Sequence, residues 1–135
     1  MLHPKVAWVL FAPLLANAAA VSKQTKVQDC LTTAGIPGPA NWTFTTTPFN
    51  LRLPFTPAAV AVPTTLAQVQ AAVKCGVQAS LKINPKSGGH SYAAHSLGGE
   101  DGHFMIDLKN WDTVVVDNAT QVATIRPAGR LGNIA

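Results

Sequence analysis

Cysteine and charge are scarce in this 135-residue sequence, which has two cysteines and charged residues at 12% of positions. Two cysteines alone make a poor zinc site. The net charge of +4 is mild, and the cationic residues are scattered from Lys23 to Arg130 rather than gathered in a stripe, so a nucleic-acid partner is not indicated. Long hydrophobic runs are missing too. The apolar run from Val6 to Ala16 falls short of the roughly 20 residues that span a bilayer, and no later segment is long enough. There is no internal repeat, and no low-complexity tract beyond the alanines that follow that first run.

What is present is enough apolar material, 47% of the residues, to build the core of one small domain. His3 and Lys5 precede the apolar run and small residues follow it, the pattern of a secretory leader over residues 1–20 with cleavage near Ala18 or Ala20. Export places the mature chain in an oxidising compartment, where Cys30 and Cys75 are expected to form a disulfide. The sequons Asn41-Trp42-Thr43 and Asn118-Ala119-Thr120 fit the same compartment as candidate glycosylation sites. The expectation is a soluble, secreted protein.

Val27, Cys30, Leu31 and Ala34 recur at helical spacing, predicting a helix over Gln24 to Ala34 that Gly35 and Pro37 stop. An irregular segment with Trp42, Phe44, Phe49, Leu51, Leu53 and Phe55 follows. Ala58 to Val62 reads as a buried strand ended by Pro63. Thr64 or Thr65 then caps a helix to about Cys75 or Gly76, with Leu66, Val69, Ala72, Val73 and Val77 on its inner face. Leu81 to Asn84 reads as the next strand, completing a parallel βαβ unit. Three more strands are expected over Phe104 to Leu108, Thr113 to Asp117 and Gln121 to Arg126, the last two joined by a turn at Asp117-Asn118, with a helix beginning at Arg130.

The turn after the second strand, Pro85-Lys86-Ser87-Gly88-Gly89-His90-Ser91-Tyr92, carries the chemistry. Paired glycines let backbone N–H groups approach a ligand closely, as in turns that cradle a diphosphate. Lys86 adds positive charge, and Ser87 and Ser91 add hydroxyl donors.

That string resembles the flavin-attachment loop of the berberine bridge enzyme-like oxidases, in the vanillyl-alcohol oxidase superfamily, to which the glucooligosaccharide oxidases also belong. The resemblance runs from about Cys30 to Ala135. It includes the cysteine positions Cys30 and Cys75, Asn50-Leu51-Arg52, the strand from Pro57 to Pro63, and the turn Pro127-Ala128-Gly129-Arg130-Leu131-Gly132. Gly98-Gly99-Glu100-Asp101-Gly102, followed by Met105-Ile106-Asp107-Leu108, is similar to the sugar-oxidase subgroup. The resemblance implies a cofactor, FAD, bonded through its 8α methyl to His90. Lys86, Ser87, Gly88, Gly89, Ser91, Tyr92 and Gly129 are implied as further cofactor-binding residues, with Tyr92 also near substrate. The implied reaction oxidises a sugar or a secondary-metabolite alcohol with dioxygen and yields hydrogen peroxide.

The expected fold class is α+β: residues 57–135 form a truncated PCMH-type FAD-binding domain with a small βαβ unit and adjacent antiparallel strands, preceded by the N-terminal helix and irregular segment of residues 21–56. The family's second, cysteinyl attachment, its catalytic base and its substrate domain would lie beyond Ala135, so a non-catalytic secreted fragment is the alternative. His90, His95 and His103 offer a lesser one, a metal site, but their spacing matches no common zinc pattern. Asp107 and Asp112 are expected to be solvated surface carboxylates rather than acid-base groups.

Overall fold

The computed structural model describes residues 12–38 and 46–134. The charged start of the expected leader, the sequon at Asn41 and the aromatic residues Trp42 and Phe44 lie outside them. Helix α1 spans Ala12–Thr33, starting well before the expected Gln24 and crossing Ala18 and Ala20. Alanine and leucine are strong helix formers, and nothing between Ala12 and Gly35 breaks the pattern after Pro13. The helix ends where Gly35 takes φ +62° and the Ile36 N–H returns to the Leu31 carbonyl at 2.9 Å.

Strand β1, Ala59–Ala61, leads through Pro63 to helix α2, Leu66–Gln78. Thr65 caps this helix, its hydroxyl accepting the Gln68 N–H at 3.2 Å. The Gln68 side chain returns to the Thr64 N–H at 2.8 Å and donates to the Gly35 carbonyl at 3.1 Å, so one residue ties the start of α2 to the end of α1.

The buried face of α2 matches expectation at Ala72 and differs elsewhere. Ala72, Cys75 and Gly76 face the sheet, whereas Leu66, Val73 and Val77 are exposed. The difference is one of size. A Cβ on Gly76 would lie 2.8 Å from side-chain carbons of both Ile83 and Phe104, so the helix sits so close to the sheet that small residues alone fit beneath it.

Strand β2, Ile83–Lys86, and strand β3, Phe104–Asp107, complete a parallel sheet in the order β1-β3-β2. β3 was expected among the antiparallel strands; it is the central parallel one. Its four residues are all buried, as an apolar strand covered on both faces must be. Side-chain alternation divides the core. Ala59, Ala61, Phe104 and Ile106 face α1 and α2 together with Val27, Leu31 and Ala72, while Val60, Val62 and Met105 pack with Leu97 on the other face. Cys30 and Cys75 are bonded, with Cα atoms 5.6 Å apart, and join α1 to α2 across 45 residues. Chain-entropy reasoning gives such a loop roughly 3–4 kcal/mol.

Strands β4, Val114–Asp117, and β5, Val122–Ile125, form a separate antiparallel hairpin. Asp117 Oδ1 accepts the N–H groups of Ala119 and Thr120 at 2.9 and 3.3 Å, the local bonding that turns the chain. Bonds from Thr120 and Ala119 hold this carboxyl below its ordinary range. The sequon Asn118 is exposed in that turn. A helical turn, Leu131–Ile134, follows.

Candidate functional site

The pairing of β2 with β3 runs to Lys86 opposite Asp107, and the Leu108 N–H still reaches the Lys86 carbonyl at 2.9 Å. There β2 stops and the chain doubles back. Gly89 takes φ +78°, a left-handed angle that favours glycine, and a Cβ on it would meet Lys86 Cε at 2.9 Å. A Cβ on Gly88 would stand 3.9 Å from the His90 imidazole. The Ser87 hydroxyl donates to the Pro127 carbonyl, and Ser91 Oγ accepts the His95 N–H at 3.2 Å, opening the 3-10 turn His95–Leu97.

The opposite wall comes from the chain leaving β5. The Ala128 N–H bonds to the Trp111 carbonyl at 2.7 Å, and the Gly129 N–H bonds to the Arg126 carbonyl at 2.8 Å. A Cβ on Gly129 would lie 2.9 Å from Ile125 Cγ2 and 3.1 Å from the Arg126 carbonyl oxygen. Between this turn and the Ser87–Ser91 turn lies a cleft of about 700 Å³, with His90 and Asn84 among its lining.

Lys86 does not extend into the cleft as a free charge. Its ammonium is 3.4 Å from Asp107 Oδ2, with 14% of the side chain exposed. Asp107, expected at the surface, is fully buried. It closes the central strand, and its other carboxylate oxygen accepts the Lys109 N–H at 3.1 Å. A buried carboxylate needs such partners. Asp112 is exposed, as expected.

Outside the motif, Phe49 places its ring beside those of His90 and Tyr92. Asn50 donates its side-chain amide to the Tyr92 carbonyl at 2.9 Å. The Tyr92 ring is exposed. The three histidines do not converge on a metal: His103 Nε2 is 3.0 Å from Glu100 Oε1, and among the described residues no group of three potential ligands could hold an ion. Glu100 also accepts from Lys82, and these two contacts, Lys82 first, hold its carboxyl below its ordinary range.

Asn84 and Phe49 are the site residues that motif reasoning missed; Asn50 stood in the Asn50-Leu51-Arg52 segment without an assigned role. Asn84 left a signal, an amide side chain beside the apolar Leu81 and Ile83 of the expected strand. Phe49 left none, because its approach to His90 depends on the path of an irregular segment.

A cleft between a glycine turn that ends a parallel strand and a second glycine turn is the frame of a flavin-binding module. The chain belongs to the FAD-binding domain family, whose profile matches residues 57–135. It is 48% identical over 127 residues to the chitooligosaccharide oxidase of Gibberella zeae, covering 90% of this chain and 26% of that one. The structure of a xylooligosaccharide oxidase from Myceliophthora thermophila, solved with xylobiose, superposes with a TM-score of 0.79 at 47% identity, covering 82% of this chain and 24% of that one. A glucooligosaccharide oxidase from Acremonium strictum, with a 6-S-cysteinyl, 8α-N1-histidyl FAD, superposes at 0.75 with 40% identity, covering 79% and 23%. The chain thus spans about a quarter of the length of the relatives it matches. Its α+β fold is that of the FAD-binding PCMH-type oxidases.

The residues present fit FAD. The Ser87–Ser91 turn leaves room at Gly88 for backbone approach, and Asn84, which lines the cleft, has a buried amide nitrogen, Nδ2, that makes no hydrogen bond to the protein.

Proposed function

We propose that this protein is an exported FAD-dependent carbohydrate oxidase in which His90 carries the cofactor covalently. The observation that carries the reading is the position of His90 in the cleft between the two glycine turns. Bound there, FAD supplies acceptance of a hydride from an alcohol carbon and passage of both electrons to dioxygen, which leaves as hydrogen peroxide. The imidazole of His90 is exposed and available for bonding to the 8α position. Backbone N–H groups at Gly88 and Gly89, with Ser87, Ser91 and Gly129, hold the pyrophosphate, and Lys86 supports the turn from beneath through Asp107. Tyr92, exposed beside His90, contacts substrate.

An oligosaccharide substrate is favoured by the relatives, which act on chito-, xylo- and glucooligosaccharides. Removal of the leader over residues 1–20, and glycosylation at Asn41 and the exposed Asn118, belong to the same reading. No helix among the described residues is long and apolar enough to cross a membrane.

Intact mass and visible absorbance of the purified protein, with His90→Ala alongside, test the proposal. A yellow protein heavier by one flavin, and loss of that adduct in His90→Ala, is the expected result. A colourless protein of apoprotein mass would overturn it and favour a non-catalytic secreted chain.

A further inference from the structure

We propose that the side-chain amide of Asn84 donates a hydrogen bond to FAD in the cleft, a cofactor contact outside the Ser87–Ser91 turn. The inference rests on the cofactor site proposed above and adds a residue to it.

Strand alternation places the group. In β2, Ile83 packs into the core beneath α2, so Asn84 points to the opposite face, where its partner in register is Met105. That face is built from the apolar side chains of Val60, Val62, Leu97 and Met105. The Asn84 Nδ2 atom is buried and makes no hydrogen bond. Among the described residues two other buried side-chain nitrogens are unpartnered, His103 Nδ1 and Trp111 Nε1, but neither residue lines the cleft. Asn84 does, together with Gly88, Gly89 and His90.

A buried donor without an acceptor destabilises a fold, and an apolar residue would pack against Met105 without that penalty. The arrangement makes chemical sense once a ligand brings the acceptor. A neutral amide suits FAD, because a carboxylate of the same shape would set like charge beside the pyrophosphate and remove the donor.

The test is FAD titration by flavin fluorescence in the His90→Ala background, where binding is reversible. Asn84→Leu is expected to raise the dissociation constant about tenfold, the effect of one neutral hydrogen bond lost from a buried site. Its apoprotein should melt no lower than the parent, since an unsatisfied donor has gone. Asn84→Asp keeps the side-chain shape, should weaken binding further, and decides the question if the leucine variant misfolds. Dissociation constants within about twofold of the parent for both variants overturn the inference and leave the cofactor site standing. Absence of flavin from both wild type and His90→Ala overturns the site first and the inference with it.

Discussion

The ring of Phe49 lies 5.3 Å from that of His90 at an interplanar angle of 46°, and 5.3 Å from the ring of Tyr92, which it meets edge-on at 87°. Residues 41 and 43 positions apart are thereby joined in one aromatic group, whose outer members flank Ser91. Such contacts add about 0.5–1.5 kcal/mol beyond area burial, and here they act on the orientation of an exposed imidazole. Phe49→Ala should slow covalent flavin attachment about three- to tenfold with His90 intact. The mass-resolved fraction of flavinylated protein over time is the readout, and attachment at the wild-type rate would remove Phe49 from the site.

The pair formed by Lys86 and Asp107 supports the same turn from below. Asp107→Asn leaves the Lys86 ammonium largely buried without a counter-charge and should cost roughly 3 kcal/mol in urea denaturation. Because the Lys86 stem runs under Gly89, flavin loading should fall as well. Replacing both partners, Lys86→Met with Asp107→Leu, should recover most of the stability. An Asp107→Asn protein as stable as wild type would show that the pair carries no structural role.

Glu100 sets a pH dependence of known sign. Its carboxyl is held below the ordinary value of 4.5 by Lys82 first and His103 second. A group depressed in the folded state contributes stability that is fully present above its unfolded pKa and lost as the pH falls through the lower folded one. Wild type should therefore melt above Glu100→Gln at about pH 6, and the difference should shrink as the pH falls below the ordinary carboxylate range. The group is fully exposed, so the effect is small and salt-sensitive. An advantage that grew on acidification would contradict the sign.

Local punctuation made most of the elements legible. Pro63 and Thr65 bracket the entry to α2, Gly35 ends α1, and Asp117 begins the hairpin turn, because each acts through backbone angles or bonds within a few residues. The glycine turn was legible for the same reason, whereas His90 was singled out by the resemblance of that turn to a flavin-attachment loop. Choices made by tertiary packing were not. Ala72 is buried as expected, but Cys75 and Gly76 share its face in place of Leu66, Val73 and Val77, because the bulk of Phe104 and Ile83 leaves room for small residues alone. The central place of β3 likewise depends on pairing with strands 45 and 21 residues earlier in register, Ala59 and Ile83 opposite Phe104. Asp107 looked like a solvated acid because its partner is distant in sequence and near only once β2 and β3 align.

The two walls of the cleft belong to separate sheets, the Ser87–Ser91 turn to the parallel one and the Ala128–Leu131 turn to the β4–β5 hairpin. Near the site they are joined by the bond from Ser87 to Pro127, while the bond from Ala128 to Trp111 closes the hairpin's own root. A molecule filling the space between them would act as mortar. Hairpin and sheet, able to loosen in turn when the space is empty, would then melt in one concerted transition.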